Sequence, residues 1–168
     1  RAKKGQLYRL TDEYSLFYLQ FMQQKRLRGE GAWHRLSQTA VFKSWSGYAF
    51  ENICLKHIKE IKHALGVAGV YTEASTYYRQ GEEKTPGVQI DLLIDRNDHV
   101  INLFEIKFYN APFSLTKADA KALREKVALF QSYTQTKKQV FLSMITTFGL
   151  LPNAHSLGLV QQELTLED

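Results

Sequence analysis

The feature that most constrains how this chain can fold is the stretch from Val88 to Phe108. Two apolar runs, Val88-Gln89-Ile90-Asp91-Leu92-Leu93-Ile94-Asp95 and Val100-Ile101-Asn102-Leu103-Phe104-Glu105-Ile106-Lys107-Phe108, flank the polar Arg96-Asn97-Asp98-His99. Apolar, β-branched runs on either side of a short turn specify a β-hairpin. Side chains alternate along a strand. Regular alternation puts Phe104, Ile106 and Phe108 on one face of the second strand, and Leu103, Glu105 and Lys107 on the other. In the first strand Ile90, Leu92 and Ile94 oppose Gln89, Asp91, Leu93 and Asp95. A one-residue slip turns every side chain to the opposite face, so the two apolar faces meet only in some registers. A hairpin centred on Asp98 is one of them. It pairs Asp91 with Glu105 and needs a loop of odd length, three or five residues. A two-residue turn at Asn97-Asp98 would set Asp91 against Phe104 and mix the faces.

The expected pairing places two carboxylates side by side, and like charges directly opposite on a sheet are destabilising. A cation has to offset them. Lys107, two residues beyond Glu105 on the same side, supplies one charge. A divalent ion supplies two, and carboxylate oxygens suit Mg²⁺ or Mn²⁺. Asp91, thirteen intervening residues, then Glu105-Ile106-Lys107 resembles the D…E-x-K signature of the PD-(D/E)XK nuclease superfamily. Ile90 stands where the superfamily's name has proline, a position that varies. The resemblance implies a restriction-endonuclease-like fold and metal-dependent hydrolysis of phosphodiester bonds.

The remaining segments are read in order. Arg1 to Leu10 is basic, then extended. Asp12 N-caps a helix over about Glu13 to Gln24, whose Tyr14, Phe17, Tyr18 and Phe21 form a packing face. Its packing partner is expected outside this stretch of chain. Lys25 to Lys43 is a polar, glycine-containing connector with room for a short helix. Ser44 or Ser46 starts a helix over about Trp45 to Leu65, ended by Gly66. At about 100° per residue Glu51 falls near the middle of its stripe of Tyr48, Cys54, Leu55, Ile58, Ile61 and Leu65. A carboxylate there needs a salt-bridge partner, a snorkelling side chain or a metal, because an unpaired buried charge is costly. Many members of the resembled superfamily carry such a glutamate on the helix before the first core strand, which makes Glu51 a third acid for the metal site.

Gly69 to Tyr78 reads as the first strand, and Arg79 to Gly87 as a turn. After the hairpin, Thr116 and Asp119 form a capping box that opens a helix to about Tyr133, with Ala120, Leu123, Val127 and Phe130 buried. Lys117, Lys121, Arg124 and Lys126 are read as a solvated surface first and a DNA-facing set second. Lys138 to Thr146 is a buried strand, and Leu159 to Leu166 an edge-like one. The expected class is therefore α/β: an αβββαβ core with a mixed central sheet flanked by helices, one further strand and an extra N-terminal helix. Residues 1–43 form a helical extension and connector, and 44–168 the nuclease-like domain.

Four pieces also resemble the C-terminal domain of bacterial and archaeal AAA+-type ATPases, a domain assigned to the same nuclease superfamily. They are Leu7 to Tyr18, Trp45 to Glu51, Gln89 to Arg96 and Ile101 to Phe108. The resemblance implies that a winged-helix region and an ATPase precede this chain in a longer polypeptide. The start at Arg1 rather than Met agrees with a fragment. The chain carries no G-x-x-x-x-G-K-[ST], so no P-loop lies within it.

In the catalytic reading Asp91, Glu105 and the backbone carbonyl of Ile106 hold Mg²⁺ or Mn²⁺. Glu51 binds through water or helps to hold a second ion, and Lys107 orients the attacking water or neutralises developing charge. Two alternatives stand beside it: a catalytically silent module that binds DNA or protein, and a structural ion-paired cluster. The formal net charge of +5 leans toward a polyanion such as DNA. One cysteine, Cys54, excludes an internal disulfide and fits a reducing cytoplasm. No run approaches the length of a membrane span.

Overall fold

The computed structural model of the chain describes residues 10–23, 29–83 and 85–168. The basic start of the chain before Leu10, the expected helix end at Gln24, the first connector residues 25–28 and Lys84 lie outside them. The chain divides into two compact units, one reaching to Asn52 and one running from Ile53 to Asp168.

The first unit is helical. Asp12 caps α1 (Glu13–Phe17), its carboxylate accepting the Ser15 N–H at 2.6 Å. The helix continues through a π-helical turn, Tyr18–Met22. α2 (Ala32–Ser37) and α3 (Ala40–Lys56) follow. The wider π turn changes which aromatics point inward. Phe21 is fully buried and Phe17 half-buried, while Tyr14 and Tyr18 stack on each other in solvent. The rings of Phe17 and Phe21 meet those of Trp33, Phe42 and Trp45 at centroid distances of 5.3–6.3 Å. Two of the four aromatics thus make the packing face, and their partner lies within the chain, on α2 and α3.

α3 starts earlier than Ser44. The Thr39 hydroxyl accepts the Phe42 N–H at 3.2 Å, and Ser46, inside the helix, donates back to the Phe42 carbonyl at 3.0 Å. The expected single helix to Leu65 is interrupted at His57, whose Nδ1 lies 2.7 Å from the Ile53 carbonyl oxygen. The same carbonyl still accepts the His57 N–H at 3.2 Å, and the interruption lies in the His57 backbone, at φ −109° and ψ +38°. α4 (Ile58–Ala64) resumes beyond it and ends at Gly66, φ +70°. There the Val67 N–H reaches the Lys62 carbonyl and the Gly66 N–H that of His63, a Schellman closure.

The second unit is built on a five-stranded mixed sheet in sequential order: β1 (Thr72–Arg79), β2 (Val88–Arg96), β3 (Val100–Lys107), β4 (Gln139–Thr146) and β5 (Gln162–Leu164). β1, β2 and β3 are antiparallel neighbours, whereas β3, β4 and β5 run parallel. Parallel neighbours need a crossover, and α5 (Lys117–Thr134) is the connection from β3 to β4. The class is α/β, a mixed sheet flanked by helices. α5 lays Ala120, Leu123 and Phe130 on Ile90, Leu93, Ile101, Leu103, Leu142 and Met144. Cys54 and Ile61, from the end of α3 and from α4, share a cavity with Ile145 and Leu164 of the sheet. Helices on both faces explain why β3 is buried from Ile101 to Ile106 and has no solvated face.

The hairpin is centred as expected, but its ladder stops one pair short of the expected Asp91↔Glu105. Pairs run from Asp95↔Ile101 to Leu92↔Phe104, centred on Asp98, with the three-residue loop Asn97 to His99. His99 takes φ +66°, the left-handed last position of such a loop. The β1–β2 turn is close-packed at Gly81 and Gly87, where a Cβ on either would sit 2.8 Å from the other's nitrogen.

Candidate active site

Asp91 sits at a defect in the sheet. Pairing between β1 and β2 passes from Ser75↔Leu93 to Tyr77↔Ile90, so Asp91 and Leu92 together oppose Thr76. This is a β-bulge in β2, and bulges re-aim side chains. Its effect is visible in the core: Ile90 and Leu93, which regular alternation separates, both pack under α5. The expected face of Ile90, Leu92 and Ile94 is therefore not one face. On the other side of β2, the ladder with β3 ends at Leu92↔Phe104. Beyond that point the Ile106 N–H is taken by the Asp91 side chain, Oδ2 accepting at 3.0 Å. A carboxylate thus stands in for a strand carbonyl at the open end of the hairpin.

Glu105, one residue before Ile106, points to the α5 side, with its side chain 9% exposed. Lys107 Nζ donates to Oε1 at 2.9 Å, and Lys126 Nζ, reaching down from α5, donates to Oε2. Burial pushes the Glu105 pKa up, but the charges of Lys126 and Lys107 outweigh it and hold the group below the ordinary carboxylate value. Burial pulls Lys107 down, and the carboxylates of Glu105, Asp91 and Asp119 more than restore it, leaving it raised. Asp119 is itself held low, first by the hydrogen bond from the Thr116 side chain.

The structure therefore brings Asp91, Glu105, Lys107 and the backbone of Ile106 to one end of the hairpin. Glu51 belongs to the first unit, half-buried on α3. The stripe expected to surround it differs, with Ala49 and Phe50 buried and Tyr48 exposed. Lys126 was assigned to a solvated surface and is instead a partner of a buried carboxylate. The signal for it was its spacing, three residues after Leu123 and four before Phe130, on the margin of the buried stripe.

Among the described residues, no group of three or more His, Cys, Asp and Glu side chains is arranged to hold a metal ion. The donor chemistry of Asp91 and Glu105 still fits a hard divalent ion. Mg²⁺ is commonly held by one or two carboxylates, with water and substrate phosphate completing its shell. Both Glu105 oxygens are in contact with ammonium groups, so an ion there competes with a lysine. No helix among the described residues is long and apolar enough to cross a membrane.

No family model matches the chain, and no curated protein matches it. Among solved structures, one described as "Crystal Structure of Protein of Unknown Function AF1548" aligns at 18% identity and a TM-score of 0.44. The alignment covers 62% of this chain and 53% of that one, about half its length.

Proposed function

We propose that the second unit is a metal-dependent, nuclease-type module that hydrolyses phosphodiester bonds in DNA. Asp91 and Glu105 are its ligands for Mg²⁺ or Mn²⁺, with the Ile106 carbonyl as a further oxygen. The observation that carries the reading is the meeting of two acids and a lysine at the open end of the β2–β3 hairpin, where the bulge turns Asp91 toward β3. The bound ion would supply a water of lowered pKa and stabilise charge on the phosphate. Asp91 is oriented for ligation by the Ile106 N–H, and Glu105 by its packing under α5. Lys107 orients the water or neutralises charge that builds on the phosphate. The sequence resemblance adds Glu51 and an origin as the C-terminal module of an AAA+-type ATPase.

A second reading is favoured by one specific observation. Glu105 is already balanced by two lysines, as in an ion-paired cluster of a catalytically silent, DNA- or protein-binding or structural module. Incubation of the chain with plasmid DNA and Mg²⁺ or Mn²⁺ separates the two. Nicking is expected from the wild type, with losses of about 100-fold or more in Asp91→Ala and Lys107→Ala. Glu51→Ala tests the helix glutamate on its own. Equal behaviour of wild type, Asp91→Ala and Lys107→Ala removes the catalytic reading.

A further inference from the structure

Lys126 is a cation on the carboxylate that the nuclease reading assigns to a metal. We propose that Lys126 is a positioning residue: it holds Glu105 in competition with the divalent ion and transfers to a nucleic-acid phosphate when the ion binds, so that metal and polyanion load cooperatively. The proposal rests on the reading of Asp91 and Glu105 as metal ligands.

Three observations carry it. First, both oxygens of Glu105 are engaged, Oε1 by Lys107 and Oε2 by Lys126, so a metal bond to Glu105 displaces an ammonium or shares its oxygen. Second, Asp91, Glu105 and Asp119 face Lys107 and Lys126, an excess of one negative charge. A dication added with both lysines in place would turn this into an excess of one positive charge beside a nearly buried carboxylate, where screening is weak. Third, the two lysines are held differently. Lys107 is drawn by Glu105, Asp91 and Asp119 together and follows Glu105 on the same strand. Lys126, the less exposed of the two at 23% against 44%, reaches Glu105 from a separate element, and its ion pair is with Glu105. Its flexible four-carbon stem can swing away without moving the backbone. Of the two, Lys126 is the one that leaves.

A displaced ammonium next to solvent needs an anion, and a phosphate of the nucleic-acid backbone provides it. If a phosphate takes Lys126 from Glu105, metal affinity rises when nucleic acid is bound. By linkage nucleic-acid affinity rises equally when metal is bound. The site would then avoid holding a competent metal centre in the absence of substrate.

Calorimetric titration of Mn²⁺ into the chain, alone and with a short phosphorothioate duplex, reads this without any cleavage. For the wild type the duplex is expected to lower the Mn²⁺ Kd about tenfold, within the usual range of such couplings. Lys126→Met is expected to bind Mn²⁺ about tenfold more tightly than wild type without duplex, and to lose the duplex effect. Lys126→Gln, which keeps a polar end to occupy the space, should shift in the same direction, and thermal unfolding in chelator identifies a variant that is misfolded. Equal Mn²⁺ affinity in wild type and both variants overturns the role of Lys126 while leaving the metal site standing. Failure of every chain to bind Mn²⁺, with or without duplex, overturns the nuclease reading together with it.

Discussion

At the scale of single residues, Glu105 is the side chain on which the cluster depends. A carboxylate nine-tenths removed from water stays ionised only where cations outweigh its lost hydration. Lys126 and Lys107 do so here, and they in turn are held together, against their mutual repulsion, by Glu105. Glu105→Gln keeps the shape and removes the charge, which leaves two ammonium groups facing an amide. The expected cost is about 2 kcal/mol at pH 7, tempered by the partial exposure of both lysines. Because the folded pKa of Glu105 is lowered, its contribution is present above the unfolded carboxylate value and is lost as pH falls through the folded one. The gap between wild type and Glu105→Gln in urea unfolding should therefore be full at pH 7 and close under strongly acidic conditions. A gap that stays constant with pH would mean that packing, not charge, holds Glu105.

At the scale of elements, α5 shows how a local signal can be complete. Thr116 accepts the Asp119 N–H at 3.2 Å, and the Asp119 carboxylate accepts the Thr116 N–H at 2.9 Å, which is the full capping box read from the sequence. Thr116→Ala should lower stability by about 1 kcal/mol in chemical denaturation. It should also move the Asp119 pKa up toward the ordinary value, since the Thr116 hydroxyl is the largest cause of its depression; NMR titration reads that directly. The hairpin was equally legible, because parity between two alternating runs leaves few registers. The bulge was not. Leu92, Leu93 and Ile94 are all apolar and all buried, so a change of face among them leaves no mark in hydropathy. The break at His57 was hidden for a related reason, since neither proline nor glycine signals it. Of the candidate site, Asp91, Glu105 and Lys107 were legible as one cluster because a single hairpin carries all three. Lys126 arrives from a helix that follows β3 in the chain, and only packing of α5 on the sheet sets it against Glu105.

At the scale of the whole second unit, the sheet is joined across its strands by a buried polar group at the end of the hairpin remote from Asp91. Asn102, fully buried on β3, accepts from Arg96 of β2 at 3.3 Å and donates to Ser143 of β4 at 3.4 Å and to Gln162 of β5 at 2.6 Å. These contacts reach four of the five strands, but they do not weigh equally on the fold. Asn102→Ala removes the hub and the partner of the Gln162 side chain, while Arg96 keeps Asp98, at an expected cost of about 2 kcal/mol. Its denaturant slope should be unchanged, because the unit still unfolds as a whole. Gln162→Ala removes one spoke from a three-residue edge strand, and about 1 kcal/mol is expected. That loss should be local. Amide exchange should accelerate along β5 and its pairing with β4, while β2 and β3 keep their protection, because edge elements open without the core. If both variants lower global stability alike, or if β5 exchanges no faster in Gln162→Ala than in wild type, then β5 is held by its backbone ladder and the Asn102 hub does not tie the edge to the centre.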